Sequence, residues 1–332
     1  MFVTTTIRNS HETLIYDENR NNMKLLGKYQ NGNYRVMLFE NGTKVRYNNL
    51  DNLTPEFAES MDVKLTDKCS VGCSFCYEKC TPLGKHSDIL NQKWIHTLHP
   101  WTELAINGND LDHPQLDEFL DLMKSKNVIV NMTLNQVQFI NNKDKVDKYL
   151  SDKKIYGLGI SMSENLNPDL LDTLASYSNI VIHMINGLIT PDMISKYGDK
   201  LKKLKILVLG YKYVGRGVDY KDRHDSEVSK NIEWLKENII SLLKSEKFKL
   251  GSFDNLAIDQ LDLEKQVKEK TDLKWEELYM GDDGDYSFYI DAVGETFARN
   301  STISKDQNYP TLESVDDMFN FIRNGNKHKS CN

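Results

Sequence analysis

Short apolar, β-rich runs begin at Thr102, Val128, Ile155, Ile180 and Lys205, so successive starts lie 26, 27, 25 and 25 residues apart. Each interval fits one strand, one helix and two loops. A further run at 61–65 precedes them. Between the runs lie amphipathic segments. Leu116, Phe119, Leu120 and Met123 share one face of 114–126, and Leu170, Leu171 and Leu174 share one face of 168–177. Asn167-Pro168 and Thr190-Pro191 read as helix starts, a polar cap followed by proline in the first turn. The rhythm predicts parallel strands joined by crossover helices. Six such units close only part of a barrel, since a full one takes eight. The expected fold is α/β, a partial (βα)6 barrel over 60–215.

On either side the pattern changes. Runs at 24–30, 34–40 and 44–48 are joined at Asn31-Gly32 and Asn41-Gly42 and predict a β-meander over 1–59, either a lid on one end of the barrel or a substrate clamp. After the sixth strand, 211–227 reads as a loop and 228–243 as a long helix. A strand at 253–258, a hairpin of 286–291 with 295–299 and a helix at 312–323 complete a C-terminal α/β extension over 216–332.

The chain has 332 residues, and 42 Lys+Arg against 49 Asp+Glu give a formal charge of −7. An acidic chain without a like-charge run is a poor binder of duplex nucleic acid. No apolar run approaches the ~18 residues of a membrane span, and the N-terminus lacks a basic start before an apolar stretch. The expectation is a cytoplasmic protein with reduced thiols. None of the eight histidines forms a metal-spaced helical pair, and His96 and His99 read as an ordinary helix end.

Of five cysteines, Cys69, Cys73, Cys76 and Cys80 fall within twelve positions just after the first strand, where a barrel keeps its chemistry, and Cys331 stands alone. Cys69, Cys73 and Cys76 can ligate three irons of a [4Fe-4S] cluster and leave the fourth iron open. Gly72 permits a tight loop. Structural zinc would use all four cysteines, but no second ligand pair exists elsewhere. A ferredoxin would need a different first spacing.

Cys69-x3-Cys73-x2-Cys76, with Phe75 before the third cysteine, resembles the signature of radical S-adenosylmethionine enzymes, and the likeness covers about residues 60–215. It implies an oxygen-sensitive enzyme in which S-adenosylmethionine binds the open iron and is cleaved to a 5′-deoxyadenosyl radical. Phe75 then corresponds to the aromatic beside the adenine. Asn107, Gly108, Asn109 and Asp110 stand where the family holds the methionyl amino group, with Asn107 replacing a glycine. Ser161 and Asn186 match strand ends that contact ribose or carboxylate. Cys80 corresponds to a hydrogen donor of peptide epimerases, beside the plainer reading of a small buried filler. The 289–299 segment resembles a SPASM-like extension of peptide-modifying members, but Ala298-Arg299-Asn300 lacks its cluster cysteine, so no auxiliary cluster is expected.

The implied substrate is a peptide or protein side chain, altered by epimerisation or carbon-centred modification. A nucleoside, nucleotide or other small molecule is the alternative, and an iron-sulfur or zinc-stabilised binding protein the non-enzymatic one. A flavodoxin or ferredoxin is the expected reductant, docking near Lys64, Lys68, Lys79 and Lys85. Lys212 or Arg216 is a candidate for a substrate carboxylate or phosphate.

Overall fold

A computed structural model of the chain describes residues 3–7, 24–50, 52–107, 111–162, 168–279, 281–302 and 308–326. Strands β1 (Val3–Ile7), β2 (Leu25–Asn31), β3 (Tyr34–Phe39) and β4 (Thr43–Tyr47) form a four-stranded sheet in the order β1-β4-β3-β2. The three predicted strands of the meander are present. β1, read from the sequence as no particular element, adds to it parallel to β4.

The second sheet has ten strands. Its parallel series is β5 (Ser60–Lys64), β6 (Glu103–Asn107), β7 (Ile129–Asn135), β8 (Gly157–Ser161), β9 (Ile180–Ile185), β10 (Lys205–Leu209) and β11 (Leu250–Phe253). β12 (Ser287–Asp291) joins the free side of β5, also parallel. β13 (Thr296–Ala298) and β14 (Tyr309–Pro310) follow it antiparallel. The parallel series therefore has eight members rather than six, because β11 and β12 extend the predicted set at its two ends. The sheet is open, with β11 at one edge and β14 at the other.

Helices α1 (Leu116–Ser125), α2 (Gln136–Asn141), α3 (Lys143–Ser151), α4 (Pro168–Ala175) and α5 (Pro191–Leu201) fill the crossovers. They are followed by α6 (Arg216–Arg223), α7 (Asp225–Lys244), α8 (Asn255–Gln260), α9 (Leu263–Lys270), α10 (Trp275–Leu278) and α11 (Val315–Asn326). Helix α5 starts as its sequence predicts, the Thr190 hydroxyl accepting the Met193 N–H at 3.1 Å with Pro191 in the first turn. Asn167 lies outside the described residues. Two segments depart from expectation. Arg216–Arg223 is helical rather than loop. The predicted strand at 253–258 gives way to α8 because the Asp254 carboxylate accepts the Ala257 N–H at 2.7 Å and caps a helix there.

Side chains alternate across the large sheet with the strand period of two. One face carries Met61, Val63, Leu104, Ile106, Val130, Met132, Leu158, Ile160, Ile182 and Ile206, all buried in one core with the helices. Each such side chain contributes about 1.5–3 kcal/mol. The other face is polar. Cross-strand partners put Asp62 beside Tyr289, and Ser161 between Asn135 and His183.

The meander packs at the N-terminal ends of these strands. Tyr34, Val36 and Leu38 bury against Ile129, with Trp101, Tyr156 and Tyr286 around them. The meander therefore covers the end of the sheet opposite the cysteine loop.

Candidate functional site

The cysteine loop leaves the C-terminal end of β5, and its two ends are stapled to each other. Asp67 N–H donates to Lys85 O at 2.9 Å, Thr81 N–H to Asp67 O at 3.0 Å, and Cys69 N–H to Thr81 O at 2.9 Å. Residues between Cys69 and Thr81 therefore form a closed loop. Cys69, Cys73 and Cys76 are half-buried, and Cys80 is buried.

Electrostatics differ from thiol to thiol. Burial, with the neighbouring Cys76 and Cys69, pushes the Cys73 thiol up. Asn135, at the end of β7, approaches its sulfur at 3.9 Å through Nδ2. Cys76 is held down to about 5, chiefly by a hydrogen bond from the Cys80 thiol, and also by the Cys80 and Glu78 N–H groups and the Arg216 charge. The same bond to Cys76, with burial, raises Cys80. Its thiol also lies 3.9 Å from Glu78 Oε2. Three thiols on one loop, in mutual electrostatic reach and with amide donors on Cys76, suit a three-cysteine cluster in donor chemistry. Their arrangement is open, for among the described residues no three His, Cys, Asp or Glu side chains gather as a metal site.

The segment after β10 clasps this loop. Arg216 donates to three loop carbonyls: from its backbone N–H to Cys76 O at 3.0 Å, from Nε to Cys73 O at 3.1 Å, and from Nη1 to Cys80 O at 3.0 Å. Lys212 sits 3.7 Å above the Tyr77 ring and donates to Ser301 Oγ at 2.8 Å. Both cations, read from the sequence as candidates for a free anion, are thus engaged with the protein itself.

Below the loop, the polar face and the surrounding loops gather Asp62, Glu78, Asp254 and Asp283 around Lys212. Burial, with Asp283 and Asp254 nearby, pushes Asp62 up to about 6 against the pull of Lys212. Burial pushes Glu78 up to about 7. Asp62 makes no hydrogen bond or ion pair among the described residues and is exposed on the polar face of the sheet. His183, 7% exposed, packs over Gly159, where an added Cβ would stand 2.4 Å from its ring. Burial pushes its imidazole down to about 4, so it is neutral near pH 7. Nothing local in the sequence marks Asp62 or His183 as site residues, or Arg216 as a partner of the cysteine loop. They come from separate strands and a distant loop.

Other expected residues fall as follows. Asn107 binds backbone, its Oδ1 accepting Leu65 N–H at 2.8 Å and its Nδ2 donating to Thr66 O at 3.2 Å. Gly108, Asn109 and Asp110 lie outside the described residues, as does Cys331. Phe75 packs edge-on against Tyr220, ring centroids 5.9 Å apart, in a cluster with Tyr211 and Val228. Ser161 ends β8 half-buried on the polar face. Asn186 is fully buried and donates to Gln260 Oε1 at 3.0 Å, while its Oδ1 has no partner. Lys64, expected in a docking patch, is 9% exposed and pairs with Asp67 at 2.5 Å and Asp291 at 3.1 Å, so it is no part of an outer surface. Lys79 and Lys85 are exposed. No described helix is long and apolar enough to cross a membrane.

No protein-family model matches the chain, and no curated protein matches it. Among solved structures, Streptococcus suis SuiB bound to S-adenosylmethionine aligns with a TM-score of 0.51 at 13% identity, covering 80% of this chain and 64% of that one. SuiB bound to the precursor peptide SuiA aligns with a TM-score of 0.48 at 15% identity, over 74% of this chain and 60% of that chain. The first likeness shows a common fold. The chain spans 64% of the SuiB length in that alignment.

Proposed function

We propose that this chain is a radical S-adenosylmethionine enzyme acting on a peptide or protein side chain, with Cys69, Cys73 and Cys76 holding a single [4Fe-4S] cluster. The observation that carries this reading is the stapled three-cysteine loop at the C-terminal end of β5, in a fold shared with SuiB, which was solved bound to S-adenosylmethionine. When bound, the cluster and S-adenosylmethionine supply a 5′-deoxyadenosyl radical that removes a hydrogen atom from the substrate.

The chain's own residues do the rest. Asn107 fixes the exit of β5, where the cysteine loop begins. Phe75 covers one side of the loop, and Ser161 presents a hydroxyl at the strand ends. Asp62, Lys212 and buried, neutral His183 line the substrate side. A peptide substrate is supported by the hairpin of β12 and β13, which walls the site through Tyr289 and Asp291 in register with Asp62 and Lys64. Cys80, beside Cys76, is the candidate donor that returns a hydrogen atom. A flavodoxin or ferredoxin is the proposed reductant.

Anaerobic reconstitution, reduction and addition of S-adenosylmethionine test the reading by the release of 5′-deoxyadenosine. About four irons per chain are expected for one cubane cluster. A chain holding four irons that releases none of the nucleoside refutes the enzyme. Near eight irons refutes the single cluster.

A further inference from the structure

We propose that Arg216 is a positioning residue that presets the cysteine loop before any iron binds. The proposal rests on the cluster reading above only for the loop's purpose. The latch itself is read from hydrogen bonds.

Arg216 lies 136 to 143 residues from its side-chain partners in the chain. It has no carboxylate partner among the described residues, which removes the usual reason for a half-buried arginine. Its backbone N–H, Nε and Nη1 instead reach the carbonyls of Cys76, Cys73 and Cys80. The planar fork of a guanidinium can hold two carbonyls in a fixed relation, and a lysine ammonium cannot reproduce that pair. Gly215 makes the approach possible. Its φ is 63°, and an added Cβ would stand 2.0 Å from Tyr77 O.

The latch also orients the opposite side of the loop. A trans peptide points its N–H away from its C=O. With the Cys73 and Cys76 carbonyls turned to Arg216, the Ser74 and Tyr77 N–H groups point the other way. Neither has a partner among the described residues. Two free amide donors on a loop of three thiols are what a sulfide-rich ligand takes up, and such bonds raise a cluster's potential. Cys69 is held independently, through Thr81. The ligand loop thus has two anchors, one local and one from α6. Because Lys212 stands over Tyr77 on the same segment, that segment holds the ligand loop at a second point.

Hydrogen exchange on the iron-free chain tests this directly. In Arg216→Ala the hydrogen-bonded loop amides of Cys76 and Lys79 should exchange at least tenfold faster than in the natural chain, while those of Asp67 and Thr81 at the staple keep their rates. Arg216→Lys, which keeps the charge without the fork, should loosen the same amides, and it serves if the alanine variant fails to fold. After reconstitution both variants should hold less iron per chain and show a shifted cluster midpoint potential. Unchanged exchange in loop amides of either folded variant overturns the proposal. A chain that binds no iron, yet loosens its loop in Arg216→Ala, refutes the cluster reading and leaves the latch standing.

Discussion

Arg46 meets Glu59 side-on, its Nε 2.8 Å from Oε1 and 2.9 Å from Oε2, where the meander seats on the large sheet. Glu59 is fully buried and also receives Tyr34 Oη at 2.5 Å and Lys44 Nζ at 3.3 Å. Burial alone would raise its carboxyl, but Arg46 and Lys44 outweigh it and hold the group below the usual carboxylate range. Glu59→Gln removes the carboxylate that Arg46 and Lys44 share, leaving Lys44 with Glu103 and Arg46 over the Tyr286 ring. It should lower stability by about 3–5 kcal/mol in denaturant unfolding, the cost of removing one partner from a buried pair. A loss under about 1 kcal/mol would show that the pair carries none of the seal.

Asn107 serves two backbone groups at the end of β5. Asn107→Ala leaves the Leu65 N–H without its acceptor and should cost about 1–3 kcal/mol. Thermal unfolding without cofactor separates this duty from cofactor contact. A variant as stable as the natural chain, but with weakened S-adenosylmethionine binding in calorimetry, would assign Asn107 to the cofactor alone.

Gly159 leaves room for the His183 ring. Gly159→Ala should destabilise the chain by about 1–3 kcal/mol through overpacking. Adding His183→Ala should return most of that loss, because the two positions share one space. Additive losses in a double-mutant cycle would show that the ring does not decide the residue at 159.

The pH response of Asp62 has a definite sign. Its folded pKa of about 6 lies above the ordinary aspartate value of about 3.9, so its contribution is full below that value. It is lost as pH rises towards 6 and beyond, when a carboxylate must form beside Asp283 and Asp254. Asp62→Asn should therefore gain melting temperature relative to the natural chain between pH 4 and about 7. A constant difference over that window would mean that Asp62 titrates as an exposed group.

Cys80→Ala should retain the cluster's iron and the release of 5′-deoxyadenosine while product fails to accumulate. Complete turnover by that variant, followed by mass and chirality analysis of the peptide, would exclude Cys80 as hydrogen donor. Cys69→Ala, Cys73→Ala and Cys76→Ala should each lose both iron and nucleoside release.

The parallel strands were legible because their apolar runs recur at one spacing, and the start of α5 because Thr190-Pro191 states a cap in two residues. Less legible were β11 and β12. Leu250–Phe253 has little apolar signal, and nothing in Ser287–Asp291 announces that it will lie parallel to a strand more than two hundred residues earlier. Arg216–Arg223 reads as loop because it is mostly polar, and it is helical with Gly217 and Tyr220 as its buried contacts.

For the site, the three thiols were evident from spacing, since neighbours on one loop need no fold to bring them together. Lys64 shows the converse. The sequence places it among the lysines near the loop, but β12 turns Asp291 towards it and buries it. The sequence by itself determined the repeating βα order, the meander's turns and the one loop able to offer three thiolates. Only the tertiary structure decided that Arg216 clasps that loop, that Asp62 and His183 share the polar face below it, and that the meander seals the far end. Periodicity and local spacing are properties of adjacent residues, whereas these relations exist only once distant strands have paired and removed the charges between them from water.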